Sequence, residues 1–153
     1  MTYSVSDIAN YFIWRANTDE EFGENITNLK LQKLVYYAQG FHLAWYGEPL
    51  FSEPIEAWNH GPVVRSLYFK YQPDRSERNR AHPIPTPDGF DPSTIDDRTR
   101  ALLEEVYGVY GQYSAWGLRN LTHEESPWKD TPLNATIPRE AMRAYFEDQL
   151  TVA

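Results

Sequence analysis

The chain carries four histidines, His42, His60, His82 and His123, and no cysteine. No two of them stand four residues apart, the spacing that would set two imidazoles on one helix face for zinc, and composition rules out a thiolate site. There is no Gly-x-Ser-x-Gly elbow and no glycine-rich loop followed by Lys-Ser or Lys-Thr, so neither a nucleophile elbow nor a phosphate cradle is encoded. Glu124-Glu125, directly after His123, comes nearest to an acid–base cluster. Adjacent carboxylates on a turn are expected to be solvated, with nothing to force their proton affinities apart. His60 differs because it precedes Gly61-Pro62, which reads as a helix start. Free N–H groups and the helix dipole there attract a carboxylate or a phosphate; the plainer role is that Asn59 and His60 cap the helix. His42 lies on an apolar stripe and reads as a hydrogen-bonded core histidine. A small hydrolase or transferase centred on His60 or His123 would need a polar pocket with a second titrating group. The expectation is no enzyme, no cofactor and no metal.

Lys30 and Lys33 flank the stripe of the same helix, and Tyr37 and Gly40 continue the Lys33 edge by one and two turns. They could bind an acidic partner, or pair with neighbours such as Glu24 while their stems cover the core. Fourteen Lys and Arg against twenty-two Asp and Glu leave a net charge of −8, which repels a phosphate backbone and disfavours nucleic acid as a partner. Residues 61–80 run the other way, with Arg65, Lys70, Arg75, Arg78 and Arg80 against Asp74 and Glu77, a local +3. That stretch fits a solvated loop, a docking patch for an acidic protein, or an RNA contact. The candidate partner-binding edge is Lys30, Lys33, Tyr37, His60, Arg65 and Tyr68.

These residues must be positioned by helices. Residues 28–46 place Leu31, Leu34, Val35, Ala38, Phe41 and Trp45 at three- and four-residue steps, with more apolar residues outside that stripe, so this is the expected central helix. Thr27 can cap it, Gly47 ends it and Pro49 prevents it from resuming. A first helix is expected from a Ser6 or Asp7 cap to about Ala16. A third starts at Gly61-Pro62 and stops near Pro73, a fourth starts at Ser93 or Asp96 and frays at Gly108 and Gly111, a fifth is capped by Ser114, and a last begins at Pro138. Ile55–Trp58 could be a short strand, and the prolines of 72–94 favour an extended loop. At 153 residues and 15% aromatic content, one core is the default. The expected fold is mainly α, a compact single domain over 1–153 of about six helices around 28–46, with at most one small β-hairpin. Trp58, Val64 and Trp128 join the stripe residues as expected core. No apolar run approaches a membrane span and the first residues do not resemble a secretory signal, which points to a cytoplasmic protein.

Read as an ordered set, Lys30–Trp45, Gly47-Glu48-Pro49-Leu50-Phe51 and Ala57–Val64 resemble the Panacea antitoxin domain, a family that takes in SocA-like and phage-associated proteins. A second block follows in the right order: Tyr110–Trp116, Leu118, Leu121-Thr122-His123 and Ser126-Pro127-Trp128-Lys129. The resemblance covers about residues 5–150. Asn59-His60 departs from the more frequent Lys-Tyr before Gly-Pro, and the insert 81–92 matches no family motif. What the resemblance implies is an antitoxin of a toxin–antitoxin system, in a prophage or phage-defence setting, that neutralises a cognate toxin by direct protein contact. Some relatives instead act as adaptors that deliver a toxin to a ClpXP-like protease. A homo-oligomer stays open.

Overall fold

The computed structural model describes residues 2–19, 26–72 and 83–151. Helix α2 (Asn28–Tyr46) is the axis on which everything else is laid. It packs against α1 (Val5–Thr18), strand β2 (Gly61–Val63), α3 (Arg65–Lys70), α4 (Asp97–Tyr110), α5 (Ala115–Glu124) and α7 (Arg139–Thr151), while the short α6 (Ser126–Lys129) joins α5 to α7. Every residue from Lys30 to Gly40 is buried. Thr27 caps the first turn through its side chain and Gly47 closes the last at φ 71°, a left-handed conformation that penalises any side chain. Gly40 is needed for contact: a Cβ there would lie 2.1 Å from the ring of Phe146 on α7.

Leu31, Leu34, Val35 and Ala38 are fully buried, and Val64 nearly so. Trp45 departs from its expected core role. It is 51% exposed, because the last turn of α2 forms one wall of a groove shared with Leu102, Val106 and Val109 of α4 and Leu150 of α7. Phe41, Trp58 and Trp128 are partly buried.

The main correction concerns Gly61-Pro62. These residues form β2, paired antiparallel with β1 (Glu56–Trp58) in the register Glu56↔Val63, Ala57↔Pro62, Trp58↔Gly61, and the helix begins only at Arg65. Pro62 is tolerated because Ala57 directs its own backbone bonds to the other side, its N–H to Ala135 O at 2.9 Å and its carbonyl to Asn134 N at 2.6 Å. The Ala57–Pro62 pair therefore needs no donor from proline. The hairpin is thus held from behind by residues 134–137.

Other boundaries shift modestly. Helix α1 starts earlier than expected, through a Ser4–Asp7 capping box, and runs to Thr18. Asp96 and Ser114 cap α4 and α5 as the sequence suggests; Gly108 stays helical, and α5 continues to Glu124. The Pro73 stop, Arg75, Arg78, Arg80, Glu24 and His82 lie outside the described residues. No helix among the described residues is long and apolar enough to cross a membrane.

Candidate partner-binding face

Polar side chains of α2 hold the hairpin and α3 in place. Gln32 Oε1 accepts from Val64 N at 3.0 Å, Gln32 Nε2 donates to Asn28 Oδ1 at 2.9 Å, and Asn28 Nδ2 donates to Tyr68 O at 3.0 Å. This chain of amides fixes both ends of a six-residue helix too short to stand alone. Above it the rings of Trp58 and Tyr68 meet edge to face at 4.9 Å, and Tyr68 contacts Phe69 at 5.5 Å. Arg65 lies over Trp58 with its guanidinium 5.8 Å from the ring and its Nε 3.4 Å from Glu56 Oε2. A cavity of about 210 Å³ opens among Leu29, Gln32, Trp58, Asn59, His60, Val63, Tyr68 and Asn134. Among the described residues its titratable lining groups are His60 and Tyr68, and the nearby Glu56 carboxylate accepts from Trp58 Nε1 at 2.9 Å. The arrangement is an aromatic and cationic rim over neutral amides, which suits an inserted protein side chain.

The expected edge therefore divides. His60, Arg65 and Tyr68 come together on this face, whereas Lys30, Lys33 and Tyr37 are inside the protein. Between Lys30 and Gly40, α2 is enclosed on all sides and has no solvent face on which to place them. Lys30 Nζ donates to Gly111 O at 2.6 Å, and Lys33 Nζ to Pro62 O at 3.3 Å. Burial, reinforced by Arg119, pulls the Lys33 amine down to about 7. Tyr37 stacks flat on Tyr110, ring centres 3.8 Å apart, and donates its hydroxyl to Glu125 Oε2 at 2.9 Å. Two members of the face were missed. Phe69, 52% exposed, follows Leu67, which takes the one inward position of the short helix. Asn134 arrives from a distant segment and carries a left-handed φ of 69°, a conformation its side chain favours.

The remaining titratable candidates are structural in placement. His42 is buried and its Nδ1 lies 2.6 Å from Glu48 O; burial lowers its proton affinity. His123 stacks on Trp128 at 3.9 Å, and its affinity is lowered by burial and then by Arg119. Glu124 and Glu125 do not behave alike, contrary to expectation: Glu124 is exposed, while burial pushes Glu125 up to about 7 against two tyrosine hydroxyls that pull it back. Among the described residues no cluster of three His, Asp or Glu side chains could hold a metal.

Two comparisons place this chain. The family described as Antitoxin SocA-like, Panacea domain, matches residues 31–129, which include the hairpin, α3 and the Lys33 and Glu125 surroundings. Antitoxin SocA of Caulobacter vibrioides (strain NA1000 / CB15N) is 49% identical over 109 residues, covering 67% of this chain and 58% of that protein. The chain thus spans well under two thirds of that relative's length. No solved structure matches it.

Proposed function

We propose, because the chain belongs to the SocA-like Panacea antitoxin family, that it is the antitoxin of a toxin–antitoxin pair and neutralises a co-encoded toxin by direct contact. The contact is made by the face of Trp58, His60, Arg65, Tyr68 and Phe69. The observation that carries this reading is the convergence of three aromatic side chains, Trp58, His60 and Tyr68, on one open cavity, with Arg65 lying over Trp58 and Phe69 exposed beside them. Trp, Tyr and Arg anchors dominate binding energy at protein interfaces, and a toxin seated here would bury about 1,200 to 2,000 Å².

Co-expression tests the role. The neighbouring gene product should arrest growth alone and be harmless beside this protein; a product harmless alone, or lethal in its presence, defeats the assignment. For the surface, Tyr68→Ala combined with Arg65→Glu should weaken toxin binding about 30-fold or more, with the circular dichroism spectrum unchanged. Undiminished binding moves the contact elsewhere. A core variant such as Leu34→Ala is no substitute, since unfolding would also release the toxin.

A further inference from the structure

Directly beneath the Asn59-His60 turn, basic groups converge with no acid among them. Lys33 Nζ is fully buried and finds a single acceptor, Pro62 O, whereas an ammonium carries three donors. Arg119 Nε and His123 Nε2 are buried atoms without a hydrogen-bond partner, although Arg119 Nη1 donates to Asn120 Oδ1 at 3.1 Å with the guanidinium 4.3 Å over Trp116, and the His123 ring also bonds to the Asn59 backbone. Arg119 lies close enough to both Lys33 and His123 to disfavour their charge, and Lys33 and exposed His60 act on His123 in the same sense. Gly61 allows this crowding: a Cβ there would stand 2.6 Å from Lys33 Cε and 2.9 Å from Thr122 Oγ1. Among the described residues no carboxylate pairs with Lys33, Arg119 or His123. In a chain of net charge −8, basic groups gathered at one point without a carboxylate are the exception.

We propose that this cluster is a carboxylate-binding site, which receives an acidic side chain or the C-terminal carboxylate of a partner polypeptide entering beside His60. The proposal rests on the partner face described above and specifies what that face grips. A carboxylate offers two oxygens with about four lone-pair directions, enough to accept from Lys33 and Arg119 Nε together, and from His123 Nε2 once the carboxylate has drawn a proton onto that ring. It carries one negative charge, matched to the one buried ammonium. A polyphosphate or nucleic acid would bring several into a chain whose field repels them. The flanking Trp58 and Tyr68 rings would take the apolar neighbours of the acidic residue, so the expected anchor is an acid set among hydrophobic residues.

The test uses the full chain in solution, with sodium acetate replacing sodium chloride at constant ionic strength and pH 7, and sodium phosphate as a second arm. Acetate should move the amide resonances of His60, Gly61 and Val63 and the His123 ring signals saturably, and raise the melting temperature by about 3 °C. Lys33→Met and, separately, Arg119→Gln should remove the saturable part while leaving a folded spectrum; Arg119 is the half-exposed position that keeps the test usable if the buried variant unfolds. No saturable response to acetate overturns the proposal, as does an unchanged response in the variants. A response to phosphate alone also overturns it, in favour of a phosphate ligand. Toxin capture then separates the two levels of the argument. If both variants lose the acetate response but bind toxin as before, the partner does not use this site and the proposal fails while the antitoxin role stands. If the wild-type chain fails to neutralise any toxin yet binds acetate as described, the antitoxin role fails and the carboxylate site remains.

Discussion

Lys33, fully buried, and Glu125, partly buried, are both ionisable groups packed around α2, but their surroundings differ in kind. Glu125 is met by hydroxyl donors from Tyr37 at 2.9 Å and Tyr36 at 3.4 Å, and burial holds those phenols in their protonated, donating form. Its polar demand is answered within the fold. Lys33 is met by one carbonyl and by other cations, so its demand is not. A buried charge costs several kcal/mol unless partners compensate it, and a fold that satisfies one such group and leaves the other short has kept the second for something it does not contain. The first region is architecture, and the second is a place for a partner.

The sharpest way to break this contrast is to fill the space under the turn. Gly61 combines φ 111° with contacts to Lys33 and Thr122, while Gly89 has φ 74° and nothing within 4 Å. Gly89→Ala should therefore cost about 1 kcal/mol for backbone strain alone, and Gly61→Ala about 3 kcal/mol, since crowding adds to strain. Urea unfolding measures both. Equal costs would mean that the Lys33 cluster has slack and that Gly61 is there only for its conformation.

Glu125→Leu comes next, at about 2 kcal/mol destabilising near pH 8, because it strands the Tyr36 and Tyr37 hydroxyls while relieving a carboxylate of its own burial. Glu125→Gln, which can still accept from a tyrosine, should cost about 1 kcal/mol or less. If leucine proves harmless, the tyrosine cage is not the closed network that distinguishes this region from the other.

How far the sequence shows this contrast depends on which signals are local. The α2 stripe, its Thr27 and Gly47 ends, and the Asp96 and Ser114 caps can be read directly, because capping and periodicity involve residues within a turn or two of each other. Gly61-Pro62 cannot be read that way. Its strand exists because residues 134–137, more than seventy positions away, hold β1 from behind. Lys33 and Tyr37 look like a surface edge because helical periodicity assumes one side faces water, and an enclosed helix violates that assumption. The same omission hides Glu125, whose altered proton affinity comes from tyrosines some ninety residues earlier. Of the candidate face, His60, Arg65 and Tyr68 are legible because they lie close in sequence around one hairpin and helix. Asn134 is not.

The smallest effect is also the most discriminating, because it carries a sign. Glu125, with its affinity raised from 4.5 to about 7, gives stability that is complete below pH 4.5 and is lost as pH rises through 7. Lys33, lowered from 10.5 to about 7, does the reverse: the folded state resists its proton, so stability recovers as pH climbs from 7 towards 10.5. Each group contributes a slope of at most about 1.4 kcal/mol per pH unit within its window, and the two windows meet in a stability minimum near neutrality. Lys33→Met keeps the stem and removes the amine. It should stabilise the chain by about 1 kcal/mol at pH 6 in chloride, with the gain fading from pH 7 towards 10.5 as the lysine of the unfolded wild-type chain also loses its proton. A variant that is instead destabilised at pH 6 would show that the folded chain already supplies Lys33 with a counter-charge, and the difference between the two buried groups would disappear.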